Sequence, residues 1–390
     1  MISRVLVNRS RLMSTIPVSK SRKDQPQQTP SRHIPVMLNE VLDNLEPVVS
    51  AVENPVVVDM TFGRGGHSQA IAKKWPNCRI FCLDRDSEAV EYCKSLNIPS
   101  MVPLLGRFSQ LLPMFPENLK ANAVLFDLGV SSPQLDDPKR GFSLSSDSFL
   151  DMRMEQRDNN NSNDVPTCYQ IVNELNFDDL TQILKIYGEE PLAAEIARGI
   201  IDYRTVSGKI STTKQLAQVV ERIVEHSCSF TFANNRNRDK IGRYSHPATK
   251  TFQALRIFVN DELNELANGL DVVHKILNPL GRCLVISFHS LEDRLVKRVF
   301  QGAHLKAPTG ENGDAFLKKL QRSKEPFSER QMASIVTRKW QPVNLNAINS
   351  NNFDKKSKSM NHSFLCPQIE EIEINPRSRS AKLRVAEKIN

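Results

Sequence analysis

From residue 55 onward, strand-sized apolar runs alternate with helical stretches, and this rhythm constrains the fold more than any other feature. The runs at 56–60, 79–83, 101–105, 123–128 and 282–288 are short and rich in β-branched or aliphatic side chains, and each leads into a polar or glycine-containing turn. Strands separated by helical segments predict βαβ units and therefore a parallel sheet with helices on both faces. Four of these runs fall within about 75 residues, whereas the fifth arrives roughly 150 residues later; a connection that long carries structure of its own in a compact domain.

The sequence of that connection predicts an inserted, mainly helical domain. A polar spacer, Asp158-Asn159-Asn160-Asn161-Ser162-Asn163-Asp164, precedes helical patterns at 177–187, 191–203 and 212–226, and a basic loop at 234–243 closes the segment. One long amphipathic helix is then expected over 249–277, with Phe252, Leu255, Phe258, Val259, Leu263, Leu266 and Leu270 forming a single stripe that packs on the sheet. A last strand is expected at 381–386. The predicted organisation is a core in two parts, 33–145 and 246–390, interrupted by the helical insert 146–245; polar variable stretches fall at about 302–330 and 341–370.

The formal charge of +8 invites a nucleic-acid partner, but its distribution matters more than its total. Residues 1–32 hold seven basic side chains against the single acid Asp24, leaving 45 basic against 43 acidic residues, about +2, for the rest. Any nucleic-acid surface is then a local patch. The opening segment is Arg- and Ser-rich, with Ile2, Val5, Leu6, Leu12 and Met13 at roughly helical spacing, which reads as a mitochondrial transit peptide; a basic tail is the alternative. No run approaches the roughly 18 to 20 apolar residues that a bilayer crossing needs, so no membrane span is expected. The seven cysteines form no C-x-x-C pair and have no histidine at zinc spacing, so reduced thiols and no metal site are expected.

The chemistry concentrates where strands end. The first run closes on Asp59 and enters Thr61-Phe62-Gly63-Arg64-Gly65-Gly66-His67, a backbone loop that allows close approach of a nucleotide-like ligand. Alone, such a loop also fits a plain structural turn. Asp84, about 20 residues on at the end of the second run, supplies a carboxylate able to accept ribose hydroxyls. The fourth run ends on Asp127 and continues Leu128-Gly129-Val130-Ser131-Ser132-Pro133-Gln134, which places Asp127 at the carboxyl edge of the sheet, where open parallel sheets bind ligands. Two further stretches, His246-Pro247-Ala248-Thr249-Lys250-Thr251-Phe252-Gln253 and Ser287-Phe288-His289-Ser290-Leu291-Glu292-Asp293-Arg294, bring polar groups to the same edge; helix capping and ion pairing are their alternative roles.

Together with Arg140-Gly141-Phe142-Ser143, Leu150-Asp151-Met152-Arg153-Met154, Tyr187-Gly188-Glu189-Glu190 and Asn375-Pro376-Arg377-Ser378-Arg379-Ser380, these motifs closely resemble the bacterial small-subunit rRNA cytosine-N4 methyltransferase family, RsmH or MraW, in family order over about 33–388. With the transit-like leader, the chain resembles a mitochondrial member. The resemblance implies an α/β class I S-adenosylmethionine methyltransferase fold, Rossmann-like with a mostly parallel seven-stranded sheet. It implies S-adenosylmethionine as cofactor, contacted by Gly65, Gly66, His67, Asp84, Phe108, Asp127 and Gln134. The implied substrate is a decoding-region cytidine of mitochondrial small-subunit rRNA, free or in a pre-assembled subunit, in the mitochondrial matrix; a homodimer is compatible with it. Asp127 is the first candidate to accept the amine proton, with Ser131 or His289 assisting, and Arg236, Arg238, Lys240 and Arg243 are candidates to hold RNA phosphates. Ser148-Phe149 stand where relatives often carry Gly-Pro, and 344–363 is an added polar segment. A non-catalytic rRNA-binding assembly factor and a methyltransferase for DNA or protein are the competing readings.

Overall fold

The computed structural model describes residues 34–155, 165–227, 246–302, 339–343, 345 and 364–389. The transit-like segment 1–32 and the basic loop with Arg236, Arg238, Lys240 and Arg243 lie outside the described residues. One seven-stranded sheet organises the rest. Its strands are β1 (Val56–Asp59), β2 (Arg79–Asp84), β3 (Met101–Leu105), β4 (Ala121–Asp127), β5 (Leu277–Ser287), β6 (Trp340–Pro342) and β7 (Lys382–Lys388), in the order β3-β2-β1-β4-β5-β7-β6. Strands β1 to β5 pair in parallel, and β7 runs antiparallel between β5 and β6. This is the expected doubly wound α/β sheet. Its strand order reverses between β1 and β4, so the crevice at the ends of those two strands is the natural ligand position.

The strands read as unbroken apolar runs because both faces are covered. Val56, Val58, Phe81, Leu83, Val124, Phe126 and Val285 face one apolar cluster; Val57, Ile80, Cys82, Ala123, Leu125, Leu284 and Ile286 face the other, as the two-residue period of a strand requires. Helices α1 (Leu38–Val49), α2 (Gly66–Lys74) and α3 (Ser87–Ser95) supply Val41, Leu45, Val49, Ile71 and Cys93 to the second cluster. Short helices α4 (Leu111–Met114) and α5 (Ser132–Asp136) follow β3 and β4. The long connection contains α6 (Cys168–Glu174), α7 (Phe177–Tyr187), α8 (Ala193–Val206) and α9 (Thr213–Ser227), whose apolar faces join the first cluster.

The helix expected over 249–277 is two helices, α10 (Thr249–Asn260) and α11 (Glu262–Ile276). Asp261 sits between them at φ 52°, in the left-handed region that Asp and Asn tolerate better than other side chains. The break separates two tasks. Helix α10 lies against α6 and α7, while α11 packs on β5 and on the turn after β3. It also points Asn260 at residues 152–154: its Nδ2 donates to the Met152 carbonyl at 2.7 Å and its Oδ1 accepts from the Met154 N–H at 2.8 Å. Helix α12 (Ser290–Phe300) follows β5, and α13 (Ile369–Ile374) precedes β7.

Residues 149–155 cross the carboxyl edge of the sheet, and Gly141 makes that crossing possible. Its φ is 71°, and a Cβ there would collide with the Phe149 carbonyl oxygen and lie 2.7 Å from the Asp151 nitrogen. Gly208 also has a positive φ, 91°, yet its surroundings are open. Gly141→Ala is expected to lower stability by about 3 kcal/mol and Gly208→Ala by about 1 kcal/mol, the difference being the collision. Equal losses in urea unfolding would contradict this account.

Candidate active site

Three buried or half-buried acids end three adjacent strands, and the glycine loop is stitched to each. Asp59 is buried beneath the loop, where it accepts hydrogen bonds from the Thr61 N–H at 3.1 Å and the Ser68 hydroxyl at 2.6 Å. Asp84 accepts from the Gly63 N–H at 2.7 Å through Oδ2 and from the Asp86 N–H at 2.9 Å through Oδ1. The Asp127 N–H donates to Thr61 Oγ1 at 2.7 Å. Gly63 and Gly65 have φ of 53° and 67°, and α2 starts directly after them. A Cβ on Gly65 would stand 2.5 Å from the Phe62 ring, and one on Gly66 would stand 2.5 Å from Pro35. Glycine is required at both positions because the chain's own Phe62 and Pro35 occupy the space a side chain would need, and this packing holds the loop tightly against the start of α2.

The structure brings most of the sequence-predicted residues to this edge in distinct roles. Asp84 keeps a spare lone pair on each oxygen and can still accept ribose hydroxyls. Phe108, in the turn after β3, stands edge-on to Phe126 with ring centroids 5.2 Å apart, and it packs on Gly269 of α11, where a Cβ would be 2.7 Å away. Ser131 lies beside the loop, 3.7 Å from where a Gly63 Cβ would be. Gln134 is buried with both polar ends engaged: Oε1 accepts from the Ser131 N–H at 3.0 Å, and Nε2 donates to Asp86 Oδ2 at 2.9 Å. That same Asp86 oxygen pairs with the buried Arg140 at 2.8 Å. Gln134 thus braces the β4 loop against the start of α3.

His67 lies in the first turn of α2 and is buried. Its Nε2 is 3.0 Å from the Val36 carbonyl and its Nδ1 is 3.7 Å from Asp127 Oδ2. The other Asp127 oxygen, Oδ1, is buried and has no hydrogen-bond partner among the described residues. Burial pushes both Asp84 and Asp127 up to about 6; for Asp127 the His67 imidazole pulls the other way, and Asp59, Glu292 and Glu371 add to the rise.

His289 caps α12 rather than standing free. Its Nδ1 accepts from the Glu292 N–H at 3.4 Å, and its Nε2 is 3.1 Å from Glu292 Oε1. Burial alone would raise the Glu292 carboxyl, but His289 and Arg256 outweigh it and hold it below the usual range. Glu262, His289 and Glu292 bring their ligand-capable atoms within 4.8 Å of one another. Arg256 already grips Glu262 with two bonds of 2.9 Å, so the acids of this cluster are balanced by side chains. Phe288, between β5 and α12, sits 3.8 Å from where a Gly129 Cβ would be, which joins the loops after β4 and β5.

Sequence reasoning missed Glu155. Its carboxylate bridges Arg85 at 2.8 Å and Arg107 at 2.5 Å, the residues immediately after Asp84 and before Phe108. Burial opposes ionisation of Glu155, but the two guanidiniums hold it down to about 2. Arg85 also donates to the Asn260 carbonyl at 2.8 Å. Partners separated by 48 and 70 residues leave no local pattern from which such a bridge can be read.

The MraW methylase family profile matches residues 30–312, which include β1 to β5 and the whole edge just described. The chain belongs to that family. It is therefore a methyltransferase, and its methyl donor is S-adenosylmethionine. A probable methyltransferase-like protein 15 homolog of Drosophila melanogaster is 38% identical over 373 residues, 93% of this chain and 94% of the relative. The human 12S rRNA N(4)-cytidine methyltransferase METTL15 is 39% identical over 364 residues, 92% of this chain and 83% of the relative. Ribosomal RNA small subunit methyltransferase H of Parvibaculum lavamentivorans is 37% identical over 370 residues, 94% of this chain and 92% of the relative.

A site that keeps an unpartnered carboxylate half in the interior pays in stability, and the sign of that effect is testable. Asp127 binds its proton more tightly in the folded chain than in the unfolded one, where its value is the ordinary 3.8. The folded state therefore holds the extra proton between about pH 4 and 6, and stability falls as pH rises through that window. Asp127→Asn removes the charge. It is expected to be more stable than wild type by about 1–3 kcal/mol at pH 8 and by little at pH 4. Urea unfolding across that range checks it, and a difference independent of pH would contradict the assignment.

Proposed function

We propose that this chain transfers a methyl group from S-adenosylmethionine to the N4 amine of a cytidine in the decoding region of mitochondrial small-subunit rRNA. The observation that carries this reading is Asp127 Oδ1, a buried acceptor without a partner among the described residues, at the end of a central strand beside the glycine loop. An exocyclic amine offers the N–H such an acceptor lacks. The reading takes its substrate from the relatives named for N(4)-cytidine methylation of 12S rRNA, the mitochondrial small-subunit species, and from a relative named for the bacterial small subunit.

The residues fit the cofactor. The tightly packed glycine loop brings backbone to the carboxyl edge of the sheet, Asp84 retains acceptor capacity for ribose hydroxyls, and Phe108 offers an aromatic surface for the base. When bound, S-adenosylmethionine supplies a methyl carbon activated by a sulfonium, whose carbon–sulfur bond breaks with its electron pair kept by sulfur. The chain's own task is alignment. The N4 lone pair is delocalised into the cytosine ring; an N–H held by Asp127 favours the pyramidal nitrogen whose lone pair is available. Ser131 beside the loop and His289 at the start of α12 line the same edge and assist in orienting the base. Gln134 supports this arrangement through Asp86 and the β4 loop.

The helical segment within 146–245 serves substrate recognition, with Arg236, Arg238, Lys240 and Arg243 taking RNA phosphates and the target base turned out of its stack. Residues 1–32 direct the chain to the mitochondrial matrix. Among the described residues, no helix is long and apolar enough to cross a membrane. A purely structural assembly factor gains nothing from a buried carboxylate oxygen that has no partner among the described residues and costs stability, and this favours the enzymatic reading over that alternative.

Mapping cytosine-N4 methylation on mitochondrial small-subunit rRNA in cells lacking the protein tests the proposal. Methylation is expected to vanish and to return with wild type. Asp127→Ala, expressed to the same level, is expected to restore less than about 1% of it, the loss typical of removing a transition-state hydrogen-bond acceptor. Unchanged methylation in the null, or full rescue by Asp127→Ala, would refute the reading. Supplying purified protein with bare transcript or with assembled small subunits then identifies which of the two it modifies, and sedimentation tests a homodimer.

A further inference from the structure

The two ring nitrogens of His67 face neighbours of different chemistry. The Val36 carbonyl, 3.0 Å from Nε2, can only accept, so Nε2 carries hydrogen in every protonation state. Nδ1, 3.7 Å from Asp127 Oδ2, then presents either a lone pair, which repels a carboxylate, or an N–H, which attracts it. The ring is 6% exposed and cannot turn to solvent. On the other side, Asp127 Oδ1 is buried and unpartnered among the described residues. Asp59 from β1, Glu292 from α12 and Glu371 from α13 all act on Asp127 to favour its protonated form, and His67 opposes them.

We propose that His67 is a positioning residue for methyl transfer: it keeps Asp127 ionised and turned so that Oδ2 meets the imidazole and Oδ1 meets the substrate amine. The proposal rests on the reading that Asp127 accepts the amine hydrogen. As the nitrogen–methyl bond forms from the nitrogen lone pair, the amine becomes cationic. Its N–H bond then breaks, the bonding pair returns to nitrogen, and the proton passes to Asp127 Oδ1, leaving a neutral methylamino product. Asp127, 23% exposed, gives the proton to water before the next turnover. A protonated Asp127 cannot perform this step, and without His67 its burial, together with the surrounding acids, holds it protonated to higher pH.

His67→Gln separates this role from cofactor contact, because the glutamine amide nitrogen can take the place of Nε2 against Val36 while offering no cation toward Asp127. The experiment uses the full chain with a small-subunit rRNA transcript, or small subunits, as methyl acceptor, and measures kcat between pH 5.5 and 9 together with the KM for S-adenosylmethionine. The acid limb of kcat is expected to move up by about one pH unit, so that kcat falls several-fold to tenfold at pH 6.5 and recovers to within about twofold at pH 9, with KM changed less than about threefold. An unmoved limb would overturn the proposal, as would a tenfold rise in KM with kcat unchanged, which would make His67 a cofactor contact alone. If His67→Gln does not fold, His67→Asn and the carbon-13 titration of the Asp127 carboxyl take its place. A neutral amide at the Nδ1 position should still raise the Asp127 midpoint, and an unchanged midpoint would refute the role. Full activity of Asp127→Ala would refute the underlying reading of Asp127. An inactive Asp127→Ala with an unmoved limb in His67→Gln would refute the role of His67 alone.

Discussion

The hydrogen bond from the Gly63 N–H to Asp84, at 2.7 Å, is the contact on which the geometry of the catalytic edge depends. It fixes the loop after β1 to the end of β2, and the Thr61 hydroxyl fixes the same loop to the Asp127 N–H at the end of β4. Three strands are thereby tied at their carboxyl ends by one five-residue turn. Left-handed backbone at Gly63 and Gly65 lets the turn aim the Gly63 N–H at Asp84 while the Gly65 N–H closes on the Phe62 carbonyl, a conformation that side chains at those positions would resist. The result is a cradle whose floor is backbone and whose rim is carboxylate.

Gathering carboxylates in this way has an electrostatic cost, and the surrounding structure is arranged around it. Asp59, Asp84 and Asp127 are all pushed toward their neutral forms by burial. The acids that do not face the cradle are neutralised by short pairs: Asp86 with Arg140 at 2.8 Å, Glu155 with Arg85 and Arg107, and Glu262 with Arg256. Among the described residues, Asp84 and Asp127 have no such guanidinium. They are kept available by backbone donors and one imidazole, weaker partners that do not consume the whole carboxylate. Active sites commonly retain destabilising groups of this kind because binding and catalysis use them.

Much of the fold was legible in the sequence, for a physical reason. Parallel strands buried on both faces must be apolar throughout, so Val56-Val57-Val58 and Leu284-Val285-Ile286 announce themselves without alternation. The glycine loop and Asp84 were legible because both lie at the ends of those runs. The break at Asp261 was not: Phe258, Val259, Leu263 and Leu266 continue one apolar stripe across it, and the bonds that hold the turn are tertiary, from Asn260 to Met152 and Met154 and from Arg85 to the Asn260 carbonyl. For Gln134 the resemblance implies a cofactor contact; its bonds to Asp86 and the Ser131 N–H are a further feature, and a partner 48 residues distant cannot be inferred from local spacing. The Glu155 bridge was invisible for the same reason.

Both ends of the described chain take part in finishing the site. Pro35 lies over Gly66, Val36 binds the His67 ring, and Met37 donates its N–H to Glu371 of α13 at 2.8 Å. Asn375 reaches the Ile34 carbonyl at 3.2 Å, and Arg377 pairs with Asp136 at the end of α5. The Asn375-Pro376-Arg377 motif thus acts on the active edge through residues 34–37 and α5, although no part of it belongs to the glycine loop. Antiparallel β7 makes this possible, because its direction returns the chain from the catalytic edge only after α13 has crossed it. The orientation of His67 therefore depends on contacts between residues more than 300 positions apart, which couples the His67–Asp127 contact to completion of the whole sheet.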